Sequence, residues 1–424
     1  MFTFLHAADI HLDSPLRGLE RYEDAPVARI RKATRRALEN LVDRAVADQV
    51  AFVIIAGDLY DGDWKDYNTG LFFVAQMRRL REAHVDVFLI EGNHDAASRI
   101  TSSLPLPDNV YTFPTSKAAT RHALDGEVAL HGQGFATQKV TTELWRGYPA
   151  AEPGRCNIGV MHTSLSGRPG HEPYAPCSAD DLRSKGYDYW ALGHVHAREI
   201  VSDDPWIVFP GNVQGRHIRE PGAKGCTLVT VVDRDEITVE PIDLDVLRWR
   251  LCEVDVEGAK TTDDVLGSVE QALAAAMDEA DDRPLAVRVR LVGVCQVHER
   301  LHAAPERWVE QIRALATTVG GEDLWLEKVR FDTTRHHDVE LALRRDDALG
   351  GLLRAIDGLE ADDELLEKLG SSFDDLRKKL PPELLSGGDH LDPTDAACLR
   401  EPFEGAKELL LARLLSAGDD EDGR

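Results

Sequence analysis

Short apolar runs alternate with helical patterns over the first 245 residues of the chain. Each run has the length of a strand and consists largely of β-branched or other apolar residues, which is typical of buried strands. The runs lie at residues 3–8, 52–56, 85–90, 127–131, 158–162 and 187–192. Between the first two, apolar residues recur at helical spacing over residues 27–48, which predicts a helix. The alternation indicates βα units around a central sheet.

Three later apolar runs have no helical pattern between them. They lie at residues 206–209, 226–232 and 236–242. Consecutive strands without a helical crossover pair most readily in the antiparallel direction. These runs are therefore predicted to be antiparallel strands that close one side of a two-sheet sandwich.

A second set of elements follows in the order strand, helix, strand, helix, strand. These elements are predicted at residues 249–256, 262–279, 285–292, 305–318 and 324–331. They indicate a compact α+β domain over residues 246–335, after a first domain over residues 1–245.

The last part of the chain, residues 336–424, shows no strand pattern and contains 23 acidic and 11 basic residues. It is predicted to be an acidic helical tail. A helical stripe of apolar residues runs through Leu349, Leu352, Leu353, Ile356 and Leu359. This stripe either belongs to a core or forms a helix face that docks on a partner.

The composition limits the classes of partner. The chain has 424 residues and a formal net charge of −26, so no global positive field attracts it to nucleic acid or to an anionic membrane. Any such binding must be local, metal-assisted or supplied by a partner. The six cysteines form no C-x-x-C pair, which argues against a zinc knuckle, an iron–sulfur site and a disulfide framework. With no apolar stretch of about 18 residues and no basic leader, the chain is predicted to be cytoplasmic and free of the membrane.

Polar motifs occur where the predicted strands of the first domain end. Open α/β sheets place ligand sites at the carboxyl ends of their strands, so one crevice is expected to gather these side chains. The candidate residues are Asp9, His11, Asp58, Asn93, His94, Asp95, His162, His194 and His196.

The donor types indicate metal binding. Carboxylate, imidazole and amide donors without thiolate suit Mn, Fe, Zn or Ni better than Mg or Cu(I). The set exceeds the needs of one ion, whereas two ions that share a carboxylate would bind a phosphate and polarise a water. Asp58, in the middle of the series, is the natural bridge.

The order D-x-H, G-D-x-x-D, G-N-H-D, an isolated H and G-H-x-H resembles the calcineurin-like metallophosphoesterase superfamily. Within it, residues 8–15 and 211–217 resemble SbcD-type DNA repair exonucleases, particularly the YhaO-like branch. This resemblance covers residues 1 to about 245. It implies a four-layer αββα metallophosphoesterase sandwich, followed here by a smaller α+β capping domain and a helical C-terminal tail.

The resemblance also implies roles for the candidate residues. His94 would contact the scissile phosphate and help to protonate the leaving oxygen, and Asp95 would orient His94. The reaction would be in-line attack of an activated water on a phosphodiester, with no covalent protein intermediate. The implied ligands are Asp9, His11 and His196 for the first metal and Asn93, His162 and His194 for the second, with Asp58 bridging.

Other polar residues have less specific interpretations. Asp13 and Asp61 either contact metal or support the site from behind, and family members often carry His where this chain has Asp61. Arg216, Arg219 and Lys224 either contact phosphates along a DNA path or belong to a solvated loop. His171 is a further candidate for substrate contact.

The leading functional hypothesis is a manganese-dependent DNA exo- or endonuclease subunit. Because the chain has no P-loop, ATP control would require a second subunit, and the resemblance implies an SbcC-like coiled-coil ATPase as that partner. Relatives also commonly form homodimers. The alternatives are a small-molecule phosphodiesterase or phosphatase, which the acidic charge favours, and a scaffold with a vestigial site.

Overall fold

The computed structural model describes residues 1–14, 32–61, 67–97, 105–165, 174–234, 236–335, 343–344, 346–380 and 392–421. The chain divides into two compact units, which are described separately. Unit 1 comprises Met1–Arg250 and Ala280–Val287, and unit 2 comprises Leu251–Glu279 and Arg288–Arg424. The predicted division into residues 1–245, 246–335 and 336–424 stays a prediction.

Unit 1 is built from strands and three described α-helices. Its strands are β1 (Phe2–Ala7), β2 (Phe52–Ala56), β3 (Asp86–Ile90), β4 (Val110–Thr112), β5 (Ala119–Ala123), β6 (Val128–Gly132), β7 (Cys156–His162), β8 (Tyr189–Gly193), β9 (Glu199–Asp203), β10 (Trp206–Phe209), β11 (Gly225–Val231) and β12 (Ile237–Asp243). Its helices are α1 (Ala33–Ala47), α2 (Tyr67–Glu82) and α3 (Ala179–Arg183).

These strands form two six-stranded sheets. The first sheet has the order β12-β11-β1-β2-β3-β4, with β1 to β4 parallel and β11 antiparallel to both of its neighbours. The second has the order β5-β6-β7-β8-β10-β9, with β6, β7, β8 and β10 parallel. The strands β5 and β9 are its antiparallel edges.

The described side chains of unit 1 separate into three cores. Alternate residues of a strand point to opposite faces of its sheet. Phe4 therefore packs against Phe52 between the two sheets, whereas Leu5 lies in the core beneath α1 and α2. On the far face of the second sheet, Trp190 packs in a third core with Leu182 of α3. Three cores between successive layers confirm the predicted four-layer αββα sandwich.

One predicted pairing is wrong. The strand at 206–209 was expected to be antiparallel and grouped with the two strands after it, but β10 lies in the second sheet and runs parallel to β8. The intervening strand β9 explains the difference, because it reverses the chain before β10. Its sequence, EIVSD, is mostly polar and none of it is fully buried, so it carries little hydrophobic signal.

Unit 2 contains most of a three-stranded sheet and the remaining described helices. The sheet has the order β13-β14-β15, with β13 (Arg248–Asp255), β14 (Leu285–Cys295) and β15 (Leu324–Arg335). The helices are α4 (Thr262–Asp278), α5 (His298–Ala303), α6 (Pro305–Gly320), α7 (Ala348–Asp357), α8 (Asp363–Ser371), α9 (Asp374–Arg377) and α10 (Ala396–Glu421). No helix in the described ranges is long and apolar enough to cross a membrane.

The leucine stripe of the tail is divided between core and surface. Leu353 is buried in α7, whereas Leu352 and Leu359 are exposed. Part of the stripe therefore packs inside unit 2, and its docking on a partner stays a prediction.

Candidate metal centre

The predicted ligands lie at or just beyond the carboxyl ends of buried strands. The first sheet supplies Asp9 and His11 after β1, Asp58 after β2 and Asn93 after β3, and the second supplies His162 at the end of β7 and His194 and His196 after β8. Because the parallel strands of both sheets end at one edge of the sandwich, the structure brings all seven side chains together.

The loops that carry the ligands have unusual backbone conformations. Asp9, His11, Asp58 and His194 all have positive φ angles, at 50°, 44°, 53° and 102°. For a residue other than glycine this conformation costs about 1–3 kcal/mol and persists only where other contacts impose it. Such contacts are present: the Asp9 and His11 amides donate to the carbonyls of Gly57 and Asp58, each at 3.0 Å.

The first group of ligands consists of Asp9, His11 and His196, whose candidate ligand atoms lie within 4.8 Å of one another. The Nε2 atoms of His11 and His196 are 3.2 Å apart. Nε2 of His196 lies 3.8 Å from Oδ1 of Asp9. This is the set that the resemblance implied for one metal.

The second group consists of Asp58, His162 and His194, also within 4.8 Å. Oδ1 of Asn93 lies 3.0 Å from Nε2 of His162 and 3.2 Å from Nδ1 of His194, so its amide oxygen belongs to the same group. Asp58 faces both groups, because its Oδ2 is 3.4 Å from Nε2 of His162 and 3.8 Å from Nε2 of His11. A bridging role for this carboxylate fits the geometry.

The hydrogen bond at the second ring nitrogen of His162 indicates that the ligand groups are suited to hold cations. Nδ1 of His162 lies 2.9 Å from the carbonyl oxygen of Ala56, which can only accept, so this nitrogen carries the proton. In the neutral ring, the Nε2 lone pair then faces the Asp58 carboxylate. Two acceptors at 3.4 Å require a proton or a cation between them. Two divalent ions would satisfy the donors of both groups.

The pKa values of His162 and Asp58 also show that a positive charge is favoured between the two side chains. Burial lowers the pKa of His162, but the charge and hydrogen bond of Asp58 outweigh it and raise that pKa to about 9. Burial raises the pKa of Asp58, yet its histidine neighbours hold it well below the usual range. A site that otherwise takes up a proton between these residues is one that a cation can occupy instead.

Asp61 takes the position expected for Asp95. Nδ1 of His94 lies 3.0 Å from Oδ1 of Asp61, and Asp61 also accepts a hydrogen bond from Ser14 Oγ at 2.7 Å. Burial lowers the pKa of His94, but Asp61 and Asp58 outweigh it, so the pKa lies above the ordinary value. The prediction that Asp95 orients His94 is therefore wrong.

The Asp95 carboxylate binds backbone instead. It accepts from the amides of Leu59, Tyr60 and Gly92 at 3.1, 2.9 and 3.0 Å. These bonds join the loop after β2 to the loop after β3. Asp95 thus fixes the positions of Asp58 and Asn93, and this long-range role could not be deduced from its place beside His94.

Two more acidic residues have clear supporting roles. Asp13, a candidate for metal contact or for support of the site, binds the guanidinium of Arg35 at 2.6 and 2.5 Å and the hydroxyl of Thr69. Glu220 was not identified from sequence. It is 5% exposed and accepts from Nδ1 of His196 at 2.7 Å, so the Nε2 of that histidine faces the first group.

The loop after β10 surrounds Glu220. Asn212 Nδ2 and the Arg216 amide also donate to this carboxylate, at 2.8 and 2.7 Å. Lys224, a candidate for DNA contact, is buried and donates to the carbonyl of His196 at 2.9 Å. Lys224 therefore holds the backbone of a predicted ligand. Arg219, another candidate for DNA contact, is exposed. His171 lies outside the described residues.

Two family models match the chain. One, described as calcineurin-like phosphoesterase, matches residues 2–198. The other, described as the middle domain of metallophosphoesterase YhaO, matches residues 249–334.

Curated proteins that are similar in sequence include two relatives. The chain is 33% identical over 368 residues to the uncharacterized metallophosphoesterase YhaO of Bacillus subtilis, covering 86% of this chain and 89% of that protein. It is 25% identical over 256 residues to the DNA double-strand break repair protein Mre11 of Sulfurisphaera tokodaii, covering 57% of this chain and 62% of that protein. The second alignment therefore spans less than two thirds of the relative.

Solved structures that are similar include two with comparable scores. One is the crystal structure of TT1561 of Thermus thermophilus, with a TM-score of 0.34 and 14% identity over 57% of this chain and 99% of that one. The other is a dimetal phosphatase from Danio rerio, with a TM-score of 0.33 and 14% identity over 56% and 98% of the two chains.

Proposed function

The chain belongs to the calcineurin-like metallophosphoesterases of the YhaO type, and from this premise we propose that it is a manganese-dependent DNA nuclease of the cytoplasm. The more general conclusion, that the chain is a metal-dependent phosphoesterase of unspecified substrate, follows from the family and from the intact ligand groups. The observation that carries it is the position of the Asp58 carboxylate, whose Oδ2 lies 3.4 Å from Nε2 of His162 in the second group and 3.8 Å from Nε2 of His11 in the first.

The chemistry assigned to the ions is limited. Two bound divalent ions supply positive charge for the phosphate oxygens and acidify a water molecule. The ligands would be Asp9, His11 and His196 on one side and Asn93, His162 and His194 on the other, with Asp58 between. Imidazole and carboxylate donors support manganese, with iron, zinc or nickel as alternatives.

His94 supplies the proton in the proposed reaction. As the water oxygen bonds to phosphorus, the bond to the leaving oxygen breaks, and protonation of that oxygen stabilises the product. Asp61 keeps the imidazole of His94 in place and favours its protonated form. No side chain of the chain needs to bond to the phosphate, so the proposed route has no covalent protein intermediate.

DNA is the proposed substrate because of one relative. The similarity to a protein named for DNA double-strand break repair supports a polymeric phosphodiester. The net charge of −26 instead favours a small phosphodiester or phosphomonoester, which is the second candidate. The proposed SbcC-like coiled-coil ATPase would supply the DNA affinity that an acidic chain lacks, and a homodimer is also proposed.

Substrate profiling tests the function directly. We expect the purified full-length chain with Mn²⁺ to cut single- or double-stranded DNA and to hydrolyse bis(p-nitrophenyl) phosphate. Asp58→Ala should abolish both activities, and His94→Gln should lower kcat by roughly 10²–10⁴-fold. The exposed Asp180→Ala serves as the matched control for loss of a carboxylate and should act like the unsubstituted chain.

Two results would contradict this proposal. Hydrolysis of the small diester with intact DNA at every metal concentration would favour the small-molecule enzyme. DNA cleavage that survives Asp58→Ala would come from a contaminant or another site. For the partner, the tagged full-length chain should capture a coiled-coil ATPase from its own cells, and recovery of no such ATPase would contradict that part.

A further inference from the structure

The guanidinium of Arg216 lies beside the candidate metal centre, and not all of its N–H donors make hydrogen bonds in the described part of the chain. Nη2 of Arg216 is 3.2 Å from Oε1 of Glu220 and 3.3 Å from Nδ1 of His196. Nη1 lies 4.0 Å from Oδ2 of Asp61. The side chain is only 14% exposed, so its position is set by these neighbours.

At least one donor of this guanidinium has no hydrogen-bond partner among the described residues. Nε of Arg216 is buried without a hydrogen-bond partner in the described part of the chain. The 4.0 Å separation at Nη1 is too long for a hydrogen bond. Nδ1 of the adjacent His217 is likewise buried without a partner within the described ranges. Buried polar nitrogens without a partner are costly, so each calls for a partner such as a water molecule or a ligand.

The location of these donors suggests the ligand. Arg216 and His94 approach the two oxygens of one Asp61 carboxylate, Oδ2 and Oδ1. Arg216 also touches His196, a ligand of the first group. The guanidinium therefore lies close to Asp61, the partner of the proposed proton donor, and to His196 of the first group, which are groups that would surround a substrate phosphate.

We propose that Arg216 binds a non-bridging oxygen of the substrate phosphate. This inference rests on the proposed function, because it assumes that the centre takes a phosphate ester. A planar guanidinium presents paired N–H donors that match phosphate geometry. Glu220 and Asp61 fix the orientation of the group and offset part of its charge, so strong phosphate binding also requires the cations.

Phosphate binding to the metal-loaded protein provides a test without turnover. Isothermal titration of inorganic phosphate into the full-length chain with Mn²⁺ would compare the unsubstituted protein, Arg216→Gln, Arg216→Lys and Arg219→Gln. Loss of a charged hydrogen bond should weaken phosphate binding at least about tenfold in Arg216→Gln. Arg216→Lys should lose less, and Arg219→Gln, which removes an exposed charge from the same loop, should bind phosphate normally.

Two further measurements separate ligand binding from structural support. Manganese titration should give the same stoichiometry for Arg216→Gln as for the unsubstituted chain. With bis(p-nitrophenyl) phosphate, the KM of Arg216→Gln should rise by about the same factor as the phosphate Kd, because the same contact is lost.

The inference is overturned if Arg216→Gln binds phosphate as tightly as the unsubstituted chain, or if it loses manganese along with phosphate, since Arg216 would then only support His196. If Arg216→Gln does not fold, the phosphate affinity of Arg216→Lys is measured in its place. An affinity equal to that of the unsubstituted chain overturns the inference. Failure of the unsubstituted chain to cut DNA would reject the nuclease proposal but leave the phosphate titration valid.

Discussion

The imidazole of His6 is buried between the two sheets of unit 1, away from the ligand groups. It contacts the hydroxyl of Tyr189 at 2.9 Å and the carbonyl of Leu192 at 3.1 Å. Burial lowers its pKa to about 3, although the bond to Leu192 acts in the opposite direction. His6 therefore stays neutral in the folded protein under mildly acidic conditions.

This buried histidine predicts a loss of stability in acid. In the unfolded chain a histidine takes up a proton near pH 6.5, so stability falls as pH drops from about 6.5 toward 3. Between pH 7.5 and 5.0 the chain should lose about 2 kcal/mol of unfolding free energy through His6. Urea unfolding at both pH values should show this loss reduced by that amount in His6→Gln. An equal loss in the two proteins would contradict the prediction.

Glu220 is the supporting residue with the most direct effect on a predicted ligand. Replacing it with glutamine removes the charge that holds His196, so Glu220→Gln should lower affinity for the first metal by roughly 10–100-fold. Metal titration would measure the change, with the exposed Glu240→Gln as control. Normal affinity for both ions in Glu220→Gln would show that the contact does not tune the site.

At the residue scale, sequence motifs predict candidate ligands better than they predict the residues that hydrogen-bond to those ligands. The seven predicted ligands belong to short motifs at strand ends, and the structure brings these side chains together. Asp61 and Glu220 act on residues 33 and 24 positions away, so no local spacing indicates their partners. Asp95 was assigned to its chain neighbour, whereas its carboxylate contacts a loop 35 positions distant.

At the scale of elements, the end of β8 depends on a glycine. A Cβ on Gly193 would collide with the carbonyl oxygen of Ala56 at the end of β2. Sheet pairing fixes the backbone of both β2 and β8, so neither strand can move away from the added methyl group. Gly193→Ala should therefore destabilise unit 1 by about 1–3 kcal/mol. Thermal unfolding followed by circular dichroism would measure it.

A helical glycine provides the opposite case. A Cβ on Gly267, within α4, meets no atom within 4 Å. Gly267→Ala should raise stability by about 0.5–1 kcal/mol because alanine loses less backbone entropy in a helix. Destabilisation by both substitutions would show that close approach at Gly193 is not the deciding factor.

Hydrophobic signal decided which elements could be predicted. The strands β2 and β10 occur at the predicted bounds, and both are almost completely buried. In contrast, β4, β5 and β9 were missed because few of their side chains are buried. A strand at a sheet edge is held by backbone pairing to one neighbour, and sequence periodicity does not report that pairing.

At the scale of the whole molecule, metal binding should stabilise unit 1 selectively. Free Mn²⁺ at about 100 times its Kd adds about 2.7 kcal/mol to the folded state that binds it. For a unit of about 250 residues this corresponds to a rise in Tm of roughly 5–10 °C. Differential scanning calorimetry with and without Mn²⁺ would measure it, and EDTA should reverse the rise.

The matched variant for this experiment is Asp58→Asn, which keeps the size of the side chain but removes the shared charge. Its Tm should respond much less to Mn²⁺. An equal response in both proteins would place the stabilising ion elsewhere in the chain and would contradict the assignment of Asp58 to both ligand groups.

The distribution of the ligand residues over two sheets also constrains when the protein acquires its ions. During synthesis on a ribosome, Asp9 emerges first, but the nascent chain has no His196 until nearly two hundred residues later, and no Glu220 until later still. A cation captured early would lack most of its donors. Loading must therefore wait until most of unit 1 has been translated, so the growing polypeptide stays inert toward phosphate esters while it is being made.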